Sequence, residues 1–227
     1  MPVAVIPFRP VNPKTRLSGL LSQAEREAFA RAMLADVVGA VRAAGLDPLV
    51  LSTHPYDCSG VEVRVAPVGL SDALNALLPT LDGPVLVIMA DLPLATPEAV
   101  RRLVEAAADV AIAPGRGGGT NAIHIRHPVQ FHVDYYEISI SKHLAIAAAA
   151  GLSVEVVDSF RLYLDLDEEE DLVDLLIHGD GQARVCLESL GIRLAVTRGR
   201  VGLERHPALH DAHVPVRPRK ATGTAGR

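Results

Sequence analysis

Three aspartates stand where an α/β protein would hold the metal of a nucleotide. Asp91 closes the apolar run Val85-Leu86-Val87-Ile88-Met89-Ala90, and Asp165 and Asp167 follow Leu162-Tyr163-Leu164. A carboxylate ending a buried strand is costly to desolvate unless something pairs with it. A divalent cation carrying a phosphate is a suitable partner. On a strand, positions i and i+2 share a face, so Asp165 and Asp167 are expected side by side, repelling unless a cation lies between them. The competing reading for Asp167 is a helix cap for the run that opens with Glu168. Asp91, followed by Leu92-Pro93-Leu94, has as its competing reading a plain polar end to a strand.

Two loops supply complementary groups. Arg9, Lys14 and Arg16 lie in a proline-containing loop after the first apolar run. Cations there would stabilise charge on a transferring phosphorus and on leaving pyrophosphate. The run Gly115-Arg116-Gly117-Gly118-Gly119-Thr120-Asn121 would let backbone N–H groups approach an anion closely. Thr120 and Asn121 at its end are placed to hold a small carboxylate or phosphate. The competing readings are a solvated basic loop and a flexible hairpin. Neither a Walker A spacing nor G-x-G-x-x-G between a strand and a helix occurs. His124, His127 and His132 are irregularly spaced and read as structural.

The elements that must carry these groups follow from periodicity. Val3–Phe8, Leu49–Ser52, Val61–Ala66, Val85–Met89, Val110–Ala113, Asn121–Ile125, Val154–Val157 and Leu162–Leu164 read as strands. Helices are expected from Ser22, with a capping box at Glu25, to Ala44, then over Ser71–Leu81, after Thr96-Pro97-Glu98, and over Ser141–Ala150, Glu168–Ile177 and Ala183–Leu190. Such alternation means a mostly parallel sheet covered on both faces, with ligands outside the carboxyl ends of the strands. One α/β domain is expected over 1–203, with a disordered tail over 204–227.

Composition narrows the setting. The chain has 227 residues, 49% of them hydrophobic, and a net charge of −5, which argues against a nucleic-acid surface. Two cysteines with no C-x-x-C pair exclude a disulfide framework and favour a reducing, cytoplasmic setting. No signal peptide or membrane-length apolar run is seen, so no membrane partner is expected.

Read together, these motifs resemble the 2-phospho-L-lactate guanylyltransferases of coenzyme F-420 biosynthesis, collinearly from about residue 2 to 195. The residues that carry the likeness are Val5-Ile6-Pro7-Phe8-Arg9-Pro10 with Pro13–Ser18, Met89-Ala90-Asp91-Leu92-Pro93-Leu94, Ala113-Pro114 through Gly117-Gly118-Gly119-Thr120-Asn121-Ala122, Tyr135–Ser139 with His143, and Leu164-Asp165-Leu166-Asp167 before Glu170-Asp171-Leu172. The resemblance implies a three-layer nucleotidyltransferase fold like that of GT-A glycosyltransferases. It implies a reaction in which GTP and 2-phospho-L-lactate, or phosphoenolpyruvate in bacterial relatives, give a guanosine-diphospho-linked acid and pyrophosphate. Asp91, Asp165 and Asp167 would hold Mg²⁺, with Lys14, Arg16 and Asp91 catalytic. Arg9, Lys14, Arg16, Ser71, Asp72 and Asp91 would bind the nucleotide. Gly119, Thr120, Asn121 and Ser139 would bind the phospho-acid, and the family suggests a homodimer. Many relatives carry a glycine shortly before the serine equivalent to Ser139, where this chain has Tyr136 and Glu137. Rival readings are another nucleotidyl transfer of the molybdenum-cofactor or CMP type, glycosyl transfer, and a GTP-binding regulator without turnover.

Overall fold

A computed structural model describes residues 2–197 and 199–206. Strand β1 (Val3–Phe8) leads through a loop to helix α1 (Gln23–Ala43). Ser22 and Glu25 form the expected reciprocal capping box, and Gly45, at φ +90°, turns the chain out of the helix. Strands β2 (Asp47–Ser52) and β3 (Glu62–Val65) follow, then α2 (Leu70–Leu77) and β4 (Val85–Ile88). Thr96 caps α3 (Pro97–Val104), with Pro97 as its first residue.

Strands β5 (Val110–Pro114) and β6 (Thr120–Ile125) form an antiparallel hairpin across the glycine run. Helix α4 (Ser139–Ala149), strand β7 (Val154–Val156) and helices α5 (Phe160–Tyr163), α6 (Asp171–His178) and α7 (Gln182–Ser189) complete the body.

Seven strands form one sheet in the order β3-β2-β1-β4-β6-β5-β7. All pairs are parallel except those made by β6, which runs against both β4 and β5. Each strand face feeds a separate core. One packs Ile6, Leu86, Ile88 and Ala111 under α1, α3 and α6; the other packs Val5, Val87, Ile112 and Ile123 under α2 and α4. Burial on both faces explains why β4 is continuously apolar rather than alternating.

Three sequence expectations change. Leu162–Leu164 is not a strand: Phe160–Tyr163 is a single helical turn, so Asp165 and Asp167 lie on the loop after it. Strand alternation therefore does not govern where they point. Asp167 does not cap α6, which starts at Asp171. Instead the Asp171 side chain accepts the backbone N–H groups of Asp167 and Glu168, at 2.9 and 2.8 Å. Finally, β8 (Ile192–Thr197) and β9 (Arg200–Arg205) pair as a second small antiparallel sheet, which periodicity did not reveal. Strand β9 carries the ordered chain past residue 203, and residues 207–227 of the expected tail lie outside the described residues. No described helix is long and apolar enough to cross a membrane.

Candidate active site

The basic loop is shaped by a residue that its own charge pattern does not single out. Arg26 on α1 is buried, and its guanidinium donates to Pro13 O, Leu21 O and Asn12 Oδ1. These bonds hold both ends of the loop, in which Asn12 and Lys14 adopt positive φ of 46° and 50°. A left-handed conformation at two non-glycine residues costs energy and persists only when the surroundings dictate it. Here it turns the Lys14 side chain inward.

Lys14 Nζ lies 2.6 Å from Asp91 Oδ2 and 2.6 Å from Asp167 Oδ1. Burial pushes its pKa down most strongly, but Asp91 and Asp167 with their hydrogen bonds outweigh that, and the net shift is upward. Lys14 is therefore a fixed ammonium at neutral pH. Asp91 sits three residues beyond β4, and its carbonyl accepts Leu166 N–H at 3.1 Å. That single bond lays the Asp165–Asp167 loop against the end of the central strand.

Asp165 faces elsewhere. Its Oδ1 accepts from Asn121 Nδ2 at 3.3 Å, and its pKa is raised, first by burial and then by the charge of Asp91. Asp91 Oδ1 is buried with no partner. An orphaned carboxylate oxygen near a second carboxylate whose ionised form is disfavoured is a donor set that suits a divalent cation. Among the described residues no three Asp, Glu, His or Cys side chains are already gathered round one point. Lys14 holds Asp91 and Asp167 instead.

A cavity of about 380 Å³ opens beside these groups. Its lining includes Phe8, Arg9, Lys14, Leu70, Asp91 and Asp167. The size falls within the range of ligand clefts. Arg16 lies outside the lining, mostly exposed, with Nη1 3.4 Å from Glu168 and 3.9 Å from Asp167. Ser71 and Asp72 depart from expectation. Ser71 is buried, with Oγ accepting Tyr135 N–H at 2.9 Å, and Asp72 is an exposed residue in the first turn of α2. Helix α2 presents Leu70 and Ala73 to the cavity in their place.

The glycine run ends in a β-bulge. Ala113 pairs with Ala122 and Pro114 with Thr120, which leaves Asn121 as the extra residue. A bulge breaks strand alternation and re-aims its neighbours. Asn121 turns toward α5, where Nδ2 donates to Leu162 O and Tyr163 O, both at 2.9 Å, and to Asp165. It was expected to hold a small anion; its amide is instead committed to the protein, where it positions Asp165. Gly115 has to be glycine, because a Cβ there would overlap the Asn121 amide.

Thr120 turns to the other side, where Oγ1 lies 2.9 Å from His143 Nδ1. Gly119 links these two arms to the left-handed Gly117 and Gly118. Ser139 is buried at the first turn of α4, and Ile138 before it packs against Gly118. The structure thus brings Lys14, Asp91, Asp165 and Asp167 together, with Asn121 reaching Asp165 from β6 while Thr120 faces His143 on the other side. Sequence reasoning missed Arg26 and Asp171. Asp171 is legible only as one acid among several, yet it is buried, pairs with Arg116 of the glycine run at 2.7 Å, and anchors the Asp167 turn.

Residues 2–205 match the family described as "Guanylyl transferase CofC like". The chain is 59% identical over 90% of its length to the 2-phospho-L-lactate guanylyltransferase of Methanosphaerula palustris, covering 98% of that protein. It is 52% identical over 97% of its length to the enzyme of the same name from Methanoregula boonei, covering 99% of it. A solved nucleotidyl transferase from Methanothermobacter thermautotroptrophicus superposes with a TM-score of 0.55 at 18% identity, covering 78% of this chain and 96% of that one, a likeness of fold. With its mostly parallel seven-stranded sheet and its acidic cluster beside a cleft, this chain belongs to the CofC-like guanylyl transferase family.

Proposed function

We propose that this protein transfers GMP from GTP to 2-phospho-L-lactate, giving lactyl-2-diphospho-5′-guanosine and pyrophosphate. The observation that carries the reading is Lys14 held between Asp91 and Asp167 beside a cleft, with Asp165 close enough to feel the charge of Asp91. Relatives of near-full-length coverage bear the name of this activity.

A phosphate oxygen of the phospho-acid attacks the α-phosphorus of GTP, and the bond from that phosphorus to the bridging oxygen breaks as pyrophosphate leaves. The attacking oxygen is already ionised at neutral pH, so a strong general base is not required. What must be overcome is repulsion between two anions and the growth of charge on the leaving group.

Lys14 and the cavity-lining Arg9 supply fixed positive charge, and Arg16 extends it at the rim. Asp91, Asp165 and Asp167 would hold Mg²⁺, which neutralises phosphate charge and aligns the reacting groups when bound. The orphaned Asp91 oxygen fits that role. The β5–β6 glycine turn, Thr120 and Ser139 would receive the phospho-acid, and the cleft lined by Leu70 and Ala73 the nucleoside. We further infer a homodimer acting in the cytoplasm, in keeping with free thiols at Cys58 and Cys186.

The test is turnover of purified protein with GTP against 2-phospho-L-lactate and phosphoenolpyruvate in parallel, with product masses read. The expected result is pyrophosphate release that needs GTP and is faster with 2-phospho-L-lactate. Equal turnover with CTP, or release of a nucleoside diphosphate, would overturn the reading. GTP binding without acid-dependent turnover would mark a regulator.

A further inference from the structure

His143 is fully buried on α4 and makes two hydrogen bonds of different kinds. The backbone N–H of Asp134 lies 3.0 Å from its Nε2. A peptide N–H can only donate, so Nε2 must accept and carries no proton. The neutral ring then bears its proton on Nδ1, which faces Thr120 Oγ1 at 2.9 Å. Nδ1–H therefore donates to the threonine oxygen. The hydroxyl proton of Thr120 is turned away from the imidazole, and among the described residues Thr120 Oγ1 has no second partner. Thr120 is itself buried, so its proton is a donor without an acceptor inside the protein. Such a group is costly unless a ligand completes it.

The surroundings keep the ring in this state. Burial depresses the His143 pKa to about 4, so the imidazole is neutral at pH 7. Tyr135 meets the ring edge-on at 5.0 Å between centroids, and Phe131 packs at 6.1 Å. The bulge at Asn121 sends Thr120 to the His143 side of β6, directly after the glycine turn, and Ser139 lies one helical turn before His143 on α4. His143 has neither a free nitrogen nor access to a reacting atom. Its effect on chemistry passes through Thr120.

We propose that His143 is a positioning residue that fixes the Thr120 hydroxyl as a hydrogen-bond donor to an anionic oxygen of the phospho-acid. The proposal rests on the functional reading above, in which Thr120 contacts that substrate. It assigns the two ring nitrogens separate duties: Nε2 holds the Asp134 backbone, and Nδ1–H orients the threonine.

Two substitutions separate those duties. His143→Asn places its amide nitrogen near the position of Nδ1, and His143→Gln places its amide oxygen near Nε2. The expected result is that His143→Gln and Thr120→Val each raise the KM for the phospho-acid about tenfold, while the KM for GTP stays within about twofold. His143→Asn raises the acid KM less than His143→Gln, and His143→Gln adds nothing to Thr120→Val in the double variant. A greater loss with Asn than with Gln, or equal rises in both substrates' KM, overturns the proposal in favour of a purely structural histidine. ¹⁵N NMR of the wild-type imidazole reads the tautomer without any variant that has to fold. Nδ1–H is expected; Nε2–H with wild-type turnover intact overturns this inference alone. Wild-type protein that turns over no phospho-acid would instead overturn the functional reading, and the substrate role of Thr120 with it.

Discussion

At the acidic edge of the site, one ammonium holds two carboxylates at 2.6 Å while a third carboxylate, Asp165, carries a raised pKa nearby. At the glycine turn, a neutral imidazole, a threonine hydroxyl and an asparagine amide do the positioning, with no formal charge on any of them. The acidic edge is partly open, with the side chains of Asp91 and Asp167 at 26% and 40% exposure, whereas Thr120, Asn121 and His143 are buried. Charge is affordable where water and ligand phosphates can screen it. Buried positioning is better done by neutral groups, whose desolvation costs far less. The difference teaches that one side of this site is built to exchange partners and the other to stay as it is.

The sharpest attempt to break that comparison is Lys14→Met. It removes the cation from Asp91 and Asp167 and should lower pyrophosphate release about 100-fold or more. A thermal melt should also show destabilisation, since two carboxylates are left facing each other. Near wild-type turnover would mean that the ammonium is only a structural tie.

Asp165→Asn should separate activity from stability. Turnover should fall about 100-fold, yet the ligand-free protein should become more stable, because burial and the Asp91 charge disfavour the ionised form. Chemical denaturation without nucleotide and steady-state turnover read the two effects. A variant both active and less stable would show that Asp165 is not a carboxylate held in reserve for a cation.

On the neutral side, the pH dependence of folding is the probe. Burial depresses both His124 and His143 to about 4, below the unperturbed value of 6.5. Below 6.5 the unfolded chain takes up protons that the folded one refuses. The neutral rings therefore contribute stability that is fully present above pH 6.5 and is lost as pH falls toward 4, on the order of 2–3 kcal/mol each. His124 also leaves Nδ1 buried without a partner. His124→Leu should flatten the slope of urea midpoint against pH across that window; an unchanged slope would show that His124 is not held neutral by burial.

The smallest effect is expected at Glu137, which sits at φ +57° just before Ser139. The sequence resemblance drew attention to this stretch because relatives carry glycine there. Glu137→Gly removes the left-handed penalty, in part offset by the greater freedom of the unfolded chain. A gain of under about 1 kcal/mol in denaturant titration is expected, with a loss of stability arguing that the Glu137–Lys142 pair, 3.5 Å apart, matters more than the strain.

Much of the frame was legible from the chain alone. The Ser22–Glu25 capping box, the Thr96-Pro97 start and the unbroken apolar run of β4 are local signals, each decided within a few residues, and each appears where it was expected. Asp91, Asp165 and Asp167 were legible because carboxylates after apolar runs are energetically out of place. The strand assigned to Leu162–Leu164 failed because three apolar residues suit one helical turn as well as a strand, and packing against β5 and β6 chose the turn. Nothing local marks Arg26 as the organiser of the Lys14 loop, or Asp171 as the anchor of the Asp167 turn. Arg26 reaches back 13 residues to Pro13, and Asp171, though it takes the nearby N–H groups of Asp167 and Glu168, is paired across the fold with Arg116, 55 residues distant in sequence.

By itself, then, the order of residues determined most of the strands and helices and the acidic and basic side chains that could do chemistry, because periodicity, caps and misplaced charges are short-range facts. Only the tertiary structure decided direction. It committed the Asn121 amide to Asp165, turned Ser71 into the core, and set Thr120 against His143, because a bulge in β6 and hydrogen bonds between distant segments fix where a side chain points.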